Sequence, residues 1–203
     1  MNFSRAKEIL VIGVMLLIWL AVIFFASYRS LVYDYTAGSG SNPPARWPQA
    51  AALDRTPGFF TIVMFVHPKC SCSRASIGEL ARLMTLHQTR LRAQVIFATP
   101  KGARISWPEN AHWLAAQSIS GTQVVQDTDG HIAQVFGAQT SGYTLVYDKE
   151  GALVFTGGIT ASRGHAGDNA GSAAIHNILA SGTSPIQKTA VFGCNLVKRD
   201  EEK

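Results

Sequence analysis

Residues 65–80 read FVHPKCSCSRASIGEL, and they set two thiols where a strand turns into a helix. The preceding run FFTIVMFV (59–66) is β-rich and continuously apolar, the pattern of a strand buried on both faces. From Ser73 to Leu91 the apolar residues Ile77, Leu80, Leu83, Met84 and Leu91 recur at roughly helical spacing, which predicts a helix over 73–91. Cys70 and Cys72 stand at that junction, one residue apart. A helix N-terminus carries partial positive charge and unpaired N–H groups, which favour a thiolate over a thiol. Cys70, just ahead of the helix, is the predicted nucleophile. Lys69 beside it and Arg74 within a turn are placed to reinforce the thiolate.

Downstream the alternation continues. QVIFA (94–98) predicts a second strand, stopped by Pro100; NAHWLAAQ (110–117) predicts a helix, residues 122–126 a strand and 132–136 a short helix. The run YTLVYDKEGALVFTGG (143–158) holds two apolar stretches around Asp148-Lys149-Glu150-Gly151, a hairpin signature because glycine accepts the positive φ of such turns. NAGSAAIHNILA (169–180) predicts a closing helix, with Asp168 or Asn169 as its cap. The expected architecture is α/β, a mostly parallel sheet with helices on both faces.

Upstream, residues 9–26 (ILVIGVMLLIWLAVIFFA) are eighteen without a charge. As a helix they span about 27 Å, near the ~30 Å hydrocarbon core of a bilayer. Their apolar core is longer than that of a cleaved signal, and FFASYRS is a poor small-x-small cleavage site, so a retained anchor is the expectation. Arg5 and Lys7 precede the segment while Arg29 and Asp34 follow it, a bias that puts the N-terminus inside and the rest outside the cytoplasm. In a bacterium that space is the periplasm, where disulfides persist. The expected organisation is an anchor over 1–28, a flexible Gly/Ser/Pro-rich linker over 29–46, one domain over 47–182 and a tail over 183–203 that carries Cys194 and ends charged and frayed.

The chain carries 18 Lys and Arg against 13 Asp and Glu, a net charge of +5. The cations Lys7, Arg29, Arg46, Lys101, Lys198 and Arg199 are scattered, with no basic stripe interleaved with aromatics, which speaks against nucleic acid as a partner. No phosphate-binding or dinucleotide fingerprint follows a strand. No Cys-x-x-Cys-His string indicates covalent haem.

The layout, with thiols at the start of the first long helix, resembles the thioredoxin-like superfamily over roughly residues 47–182. More narrowly, HPKCSCSRASIGEL, YTLVYDKEGALVFTGGITASRGHAGDNAG and FGCNL resemble the membrane-anchored thioredoxin-like proteins called RedB. The resemblance implies a three-layer sandwich, a central mixed sheet between helices, preceded by one transmembrane helix. It also implies thiol–disulfide exchange at Cys70. Against the superfamily's Trp-Cys-x-x-Cys, Cys70 takes the first cysteine position and the second falls on Ser73, not on Cys72. The position that usually holds a cis-proline facing the cysteines falls on Gly142. A cis bond before a non-proline residue costs ~2.5–4 kcal/mol, so a trans or irregular loop is expected there.

Cys70 therefore has two candidate partners, Cys72 and Cys194. A Cys-x-Cys ring is small, and strained disulfide geometry makes a bond easier to reduce. Cys194, in VFGCNL, reaches the pair if Val191 and Phe192 dock the tail, as a resolving thiol, as a ligand or as a bridge that only fastens the tail. In the bland reading Cys70 and Cys72 are simply small buried residues. A different class of reading is a metal-binding or delivery module. His67, Cys70, Cys72 and Cys194 are soft ligands suited to copper(I) or zinc, although a second spaced cysteine pair is lacking and His67 reads better as a strand-end histidine bonded to backbone than as a ligand. A third is a degenerate fold kept for binding a partner. The Gly-rich loop 157–171, with Arg163, His165 and Asp168, either shapes a surface beside the thiols, with His165 shuttling protons, or connects and caps the last helix. The partners this sequence calls for are a membrane through residues 9–26 and a protein thiol or disulfide.

Overall fold

Alternate side chains of one strand build both halves of the interior. In the computed structural model, which describes residues 3–39, 42–99 and 110–196, strand β1 (Phe60–Val66) is buried along almost its whole length. Because successive side chains point to opposite faces, Ile62, Met64 and Val66 enter one hydrophobic cluster while Val63 and Phe65 enter another. Each such side chain contributes about 1.5–3 kcal/mol by leaving water, which is why β1 sits at the centre.

The order along the chain is helix α1 (Phe3–Tyr35), β1, α2 (Ser73–His87), β2 (Leu91–Thr99), α3 (Ala111–Gln117), β3 (Thr122–Thr128), α4 (His131–Val135), β4 (Thr144–Tyr147), β5 (Leu153–Gly157) and α5 (Ala170–Ser181). The sheet runs β3-β2-β1-β4-β5. β1, β2 and β3 are mutually parallel, with Phe60 opposite Leu91 and Ala93 opposite Thr122, whereas β4 is antiparallel to both β1 and β5. The first cluster takes Ile77, Leu80, Leu83 and Met84 of α2, Ala116 of α3 and Ala174, Ile175, Ile178 and Leu179 of α5. The second takes Ala133 of α4 with Phe136, Tyr143, Tyr147 and, from the tail, Leu196. The sheet is thus the middle of three layers.

Most predicted elements lie where the sequence puts them, with a few differences. Leu91 opens β2 instead of closing α2, because the chain turns after His87, where the Arg90 N–H donates to the His87 carbonyl at 2.9 Å. α5 is capped by Asn169, whose side chain accepts from the Ser172 N–H at 2.8 Å, while Asp168 is exposed. The sheet is mixed, as the resemblance implies and beyond what the element pattern alone suggests, since the hairpin turns β4 and β5 against the parallel trio. Pro100, Lys101, Lys198 and Arg199 lie outside the described residues.

The chain divides into two compact units, Met1–Thr36 and Ala37–Lys203. The first contains α1, whose stretch Lys7–Tyr35 is long and apolar enough to cross a membrane. The second contains the sheet. Residues of the expected 29–46 linker divide between the two units, since α1 continues to Tyr35 and residues 44–46 are bonded to the β4–β5 hairpin. The Pro44 carbonyl accepts from the Tyr147 hydroxyl at 3.0 Å, and the Ala45 carbonyl accepts from the Leu153 N–H at 2.9 Å. The Trp47 ring then packs edge-on to Phe136 and Tyr147.

Candidate functional site

The loop between β1 and α2 is wound by its own main chain. The Cys70 N–H donates to the His67 carbonyl and the Ser73 N–H to the Cys70 carbonyl, both at 3.0 Å, so Cys70 is fixed one turn ahead of the helix. Cys72 caps α2 by position only, without a side-chain cap bond. Beside them comes the loop before β4: the Phe65 N–H donates to the Tyr143 carbonyl at 2.9 Å and the Gly142 N–H to the Phe65 carbonyl at 2.7 Å. Gly142 adopts φ +88°, and no peptide bond among the described residues is cis. A proline at 142 has no N–H to give Phe65, which is a physical reason for the departure noted in the sequence.

Against this loop lies the tail. The Ser141 N–H donates to the Cys194 carbonyl at 2.8 Å, the Leu196 N–H donates to the Gln139 carbonyl at 2.9 Å, and Thr140 and Asn195 pair as an antiparallel bridge. Arg163 of the Gly-rich loop donates to the Gly193 carbonyl. The consequence is a contact no local pattern shows: Cys194 Sγ stands 3.0 Å from Cys70 Sγ across 124 residues of sequence. All three cysteines are free thiols, Cys70 and Cys72 buried and Cys194 half-buried.

Burial pushes the Cys70 thiol up, but hydrogen bonds from Cys194, from the Ser73 hydroxyl and from the Cys72 main chain outweigh it, and Cys70 ends below the ordinary cysteine value. Cys72 moves the other way, raised by burial and then by the neighbouring Cys70, with Arg163 opposing. Cys194 is pushed up to about 12, again by burial first and then by its hydrogen bond to Cys70, with Arg163 opposing. The two directions agree that Cys70 is the more readily deprotonated thiol of the pair. Lys69 and Arg74 are exposed and are not among the groups that set Cys70.

Two buried serines complete the surroundings of Cys70. The His67 N–H donates to Ser141 Oγ at 2.9 Å, and Ser141 Oγ lies 2.9 Å from Ser73 Oγ. Either serine hydroxyl can donate in that pair; when Ser141 donates, the Ser73 proton is left for the Cys70 sulfur, the bond that helps to lower the Cys70 pKa. The alternative acceptor for Ser73, the His67 carbonyl, is 3.5 Å away, too long to compete.

Of the other predicted residues, His67 accepts from the Lys69 N–H through Nδ1 at 3.2 Å, the backbone-bonded role, and burial lowers its pKa. His165 is exposed and bonded within its own loop, Nδ1 lying 2.8 Å from Ser162 Oγ. The loop itself is pinned by Glu79, a buried carboxylate on α2 that accepts from the Gly167 N–H at 2.8 Å. Among the described residues no group of three or more His, Cys, Asp or Glu side chains is arranged to hold a metal ion. Two thiolates on a tetrahedral zinc with ~2.3 Å bonds stand about 3.8 Å apart, wider than the Cys70–Cys194 pair at 3.0 Å. The sequence reading missed Ser141, Glu79 and His112. The His112 ring is hydrogen-bonded to the Cys70 main chain, and burial lowers its pKa. Only Ser141, a hydroxyl next to the position expected to face the cysteines, left a signal to follow.

No protein-family model matches the sequence, and no curated protein matches it. Solved structures do match. An uncharacterized conserved protein from Geobacillus kaustophilus superposes with a TM-score of 0.56 at 16% identity, over 83% of this chain and 95% of that one. A hypothetical protein from Sinorhizobium meliloti superposes with a TM-score of 0.55 at 18% identity, over 80% and 94%. The pneumococcal exposed lipoprotein thioredoxin from Streptococcus pneumoniae gives 0.44 at 20% identity, over 60% and 84%. With its mixed sheet between helices and its strand–thiol–helix junction, the domain has a thioredoxin-like fold.

Proposed function

We propose that the protein is a membrane-tethered thiol–disulfide exchange protein in which Cys70 is the nucleophile and Cys194 the resolving thiol. The observation that carries this reading is the 3.0 Å approach of Cys194 Sγ to Cys70 Sγ. A bonded pair needs ~2.05 Å, so about 1 Å of movement closes a disulfide.

Exchange begins when the Cys70 thiolate attacks one sulfur of a substrate disulfide. A Cys70–substrate bond forms, the substrate S–S bond breaks, and the second substrate sulfur leaves as a thiolate. Cys70 is then uncharged, so its hydrogen bond and charge no longer add to burial in raising the Cys194 pKa, while Arg163 still favours the Cys194 thiolate. Cys194 loses its proton to solvent and attacks Cys70. A Cys70–Cys194 disulfide forms and the remaining substrate thiolate leaves, two electrons having passed from protein to substrate. The same steps run backwards when a reduced partner meets the bridge. Cys72, raised by the same Cys70 charge, is the second thiol able to accept the bridge from Cys70.

α1 serves as the anchor in this reading, and the charge bias around it supports a domain outside the cytoplasm. A membrane-impermeant maleimide added to intact cells labels Cys70 if the domain is outside, and labels it only after lysis if it is inside. For the chemistry, the full chain in detergent is incubated with oxidised glutathione and mapped by mass spectrometry. The expected product is glutathione on Cys70, converted to a Cys70–Cys194 bridge, and lost in Cys70→Ser. An unreactive Cys70 overturns the proposal.

A further inference from the structure

The inference here rests on the reading of Cys70 as an exchange nucleophile and asks which partner its surroundings select. Lys69 and Arg74 flank the cysteine pair, are exposed, and do not set the Cys70 pKa. Neither has an ion-pair partner among the described residues, where the one such pair is Arg82 with Glu79. Both cations stand at the mouth of the site. The Lys69 N–H is bonded to the His67 ring, and Arg74 is near enough to His112 to add to burial in lowering the pKa of that ring, itself bonded to the Cys70 main chain. Arg163 adds a third positive charge on the side of Cys72 and Cys194. No acidic side chain among the described residues of the domain offsets them. Glu79 is buried against the Gly167 N–H, and Asp127 against the N–H groups of Ile132 and Ala133. Asp129 follows β3, two strands from β1, and Asp168 follows Gly167, which is held two turns along α2 from Cys72. Asp54, Asp148 and Glu150 belong to the other end of the sheet. Asp54 lines a cavity with Thr61 at the start of β1, and Asp148 and Glu150 follow Tyr147, the residue paired with Thr61.

Charge of one sign that no neighbour neutralises selects for the other sign, because complementary fields steer encounter and exclude like-charged partners. The Cys70 thiolate alone repels an anionic segment, and the three cations around it reverse that preference. We propose that the partner polypeptide presents its disulfide in an acidic segment, with carboxylates on the residues adjoining the attacked cysteine, and that Lys69 and Arg74 receive them. The Cys70 thiolate bonds to the partner cysteine, the partner disulfide breaks, and its second sulfur departs as a thiolate. The partner's own disulfide accepts the electron pair, so no further oxidant is required.

The test varies charge and little else. The full chain carrying Cys72→Ser and Cys194→Ser, which traps adducts on Cys70, is held in an uncharged detergent. It is mixed with a pentapeptide whose cysteine, in mixed disulfide with 2-mercaptoethanol, has glutamate on both sides, or with the same peptide carrying glutamine there. Mass spectrometry follows the peptide–Cys70 adduct, and each rate is divided by that peptide's rate with the uncharged thiol N-acetylcysteamine, which removes intrinsic reactivity. The glutamate peptide is expected to react at least about fivefold faster at roughly 20 mM salt and within about twofold of its companion at roughly 0.5 M, where the charges are screened. Lys69→Gln combined with Arg74→Gln is expected to remove the preference while alkylation by uncharged iodoacetamide stays within about twofold. A glutamate peptide that reacts no faster than its companion, with adduct formed, overturns the acidic partner and leaves thiol exchange intact. A preference that survives both high salt and the double substitution overturns the assignment to Lys69 and Arg74. No adduct with either peptide overturns both readings.

Discussion

Two regions meet at the reactive sulfur, and they are built differently. The helix start, from His67 to Ser76, is an extension of the core: β1 enters it fully buried, α2 leaves it with Ile77 and Leu80 in the first cluster, and two buried serines stand behind it. The tail from Gly193 to Leu196 is attached from outside, by backbone bonds to 139–141, one arginine and one buried leucine. Yet the tail supplies the sulfur 3.0 Å from Cys70. Segments with few buried contacts open at lower free energy than core elements, so the nucleophile is held firmly and its resolving partner is held loosely. That difference suits an exchange cycle, in which the first sulfur must wait in place and the second must move.

The comparison can be broken by removing either side. In a chain carrying Cys72→Ser and Cys194→Ser, where no other thiol can react, replacing Cys70 by Ser is expected to abolish adduct formation with oxidised glutathione, a loss of at least 1000-fold on the order of full nucleophile removal, read by mass spectrometry. Gly193→Ala comes next. Its Cβ meets the Ser141 carbonyl oxygen at 1.9 Å, so the tail shifts, and closure of the Cys70–Cys194 bridge slows by about 10–100-fold as their approach is lost, while Cys70, without Cys194 but still held by the Ser73 hydroxyl and the Cys72 main chain, loses less of its reactivity toward iodoacetamide. Equal slowing of both reactions would mean that the two regions are one unit after all.

Smaller effects sharpen the electrostatics of the helix start. The Ser73 hydroxyl stabilises the Cys70 thiolate, so in Ser73→Ala the thiol keeps its proton to higher pH and the alkylation–pH profile moves in the alkaline direction. A hydrogen bond to a charged group is worth ~1.5–3 kcal/mol, so alkylation at neutral pH slows by about tenfold or more. In the unaltered chain Cys70 alkylates below the ordinary thiol range, whereas Cys194 waits until about 12 so long as Cys70 is charged. Lys69→Ala is the smallest change, within about twofold, because the exposed ammonium is not among the groups that set Cys70. A tenfold fall would restore the role that adjacency in the sequence suggests.

The helix start was legible because its signals are local. Apolar periodicity marks β1 and α2, Asp148 to Gly151 marks the hairpin, and Asn169 marks the start of α5. Leu91 misled for the same reason: it continues the helical spacing, but the turn after His87 breaks the helix before it. The tail was legible only in part. Cys194 was a candidate from the moment it was counted, but the reason for the glycine before it is a carbonyl more than fifty residues upstream, and no window of sequence contains both. Ser141, Glu79 and Arg163 follow the same rule: each acts on the site through a partner set by topology, the Glu79–Gly167 pair being 88 residues apart.

The most direct test is a disulfide map of the full chain after stoichiometric oxidation, with free thiols blocked before digestion. The account predicts a Cys70–Cys194 bridge with Cys72 alkylated. A Cys70–Cys72 bridge with Cys194 alkylated, or three free thiols, would contradict it.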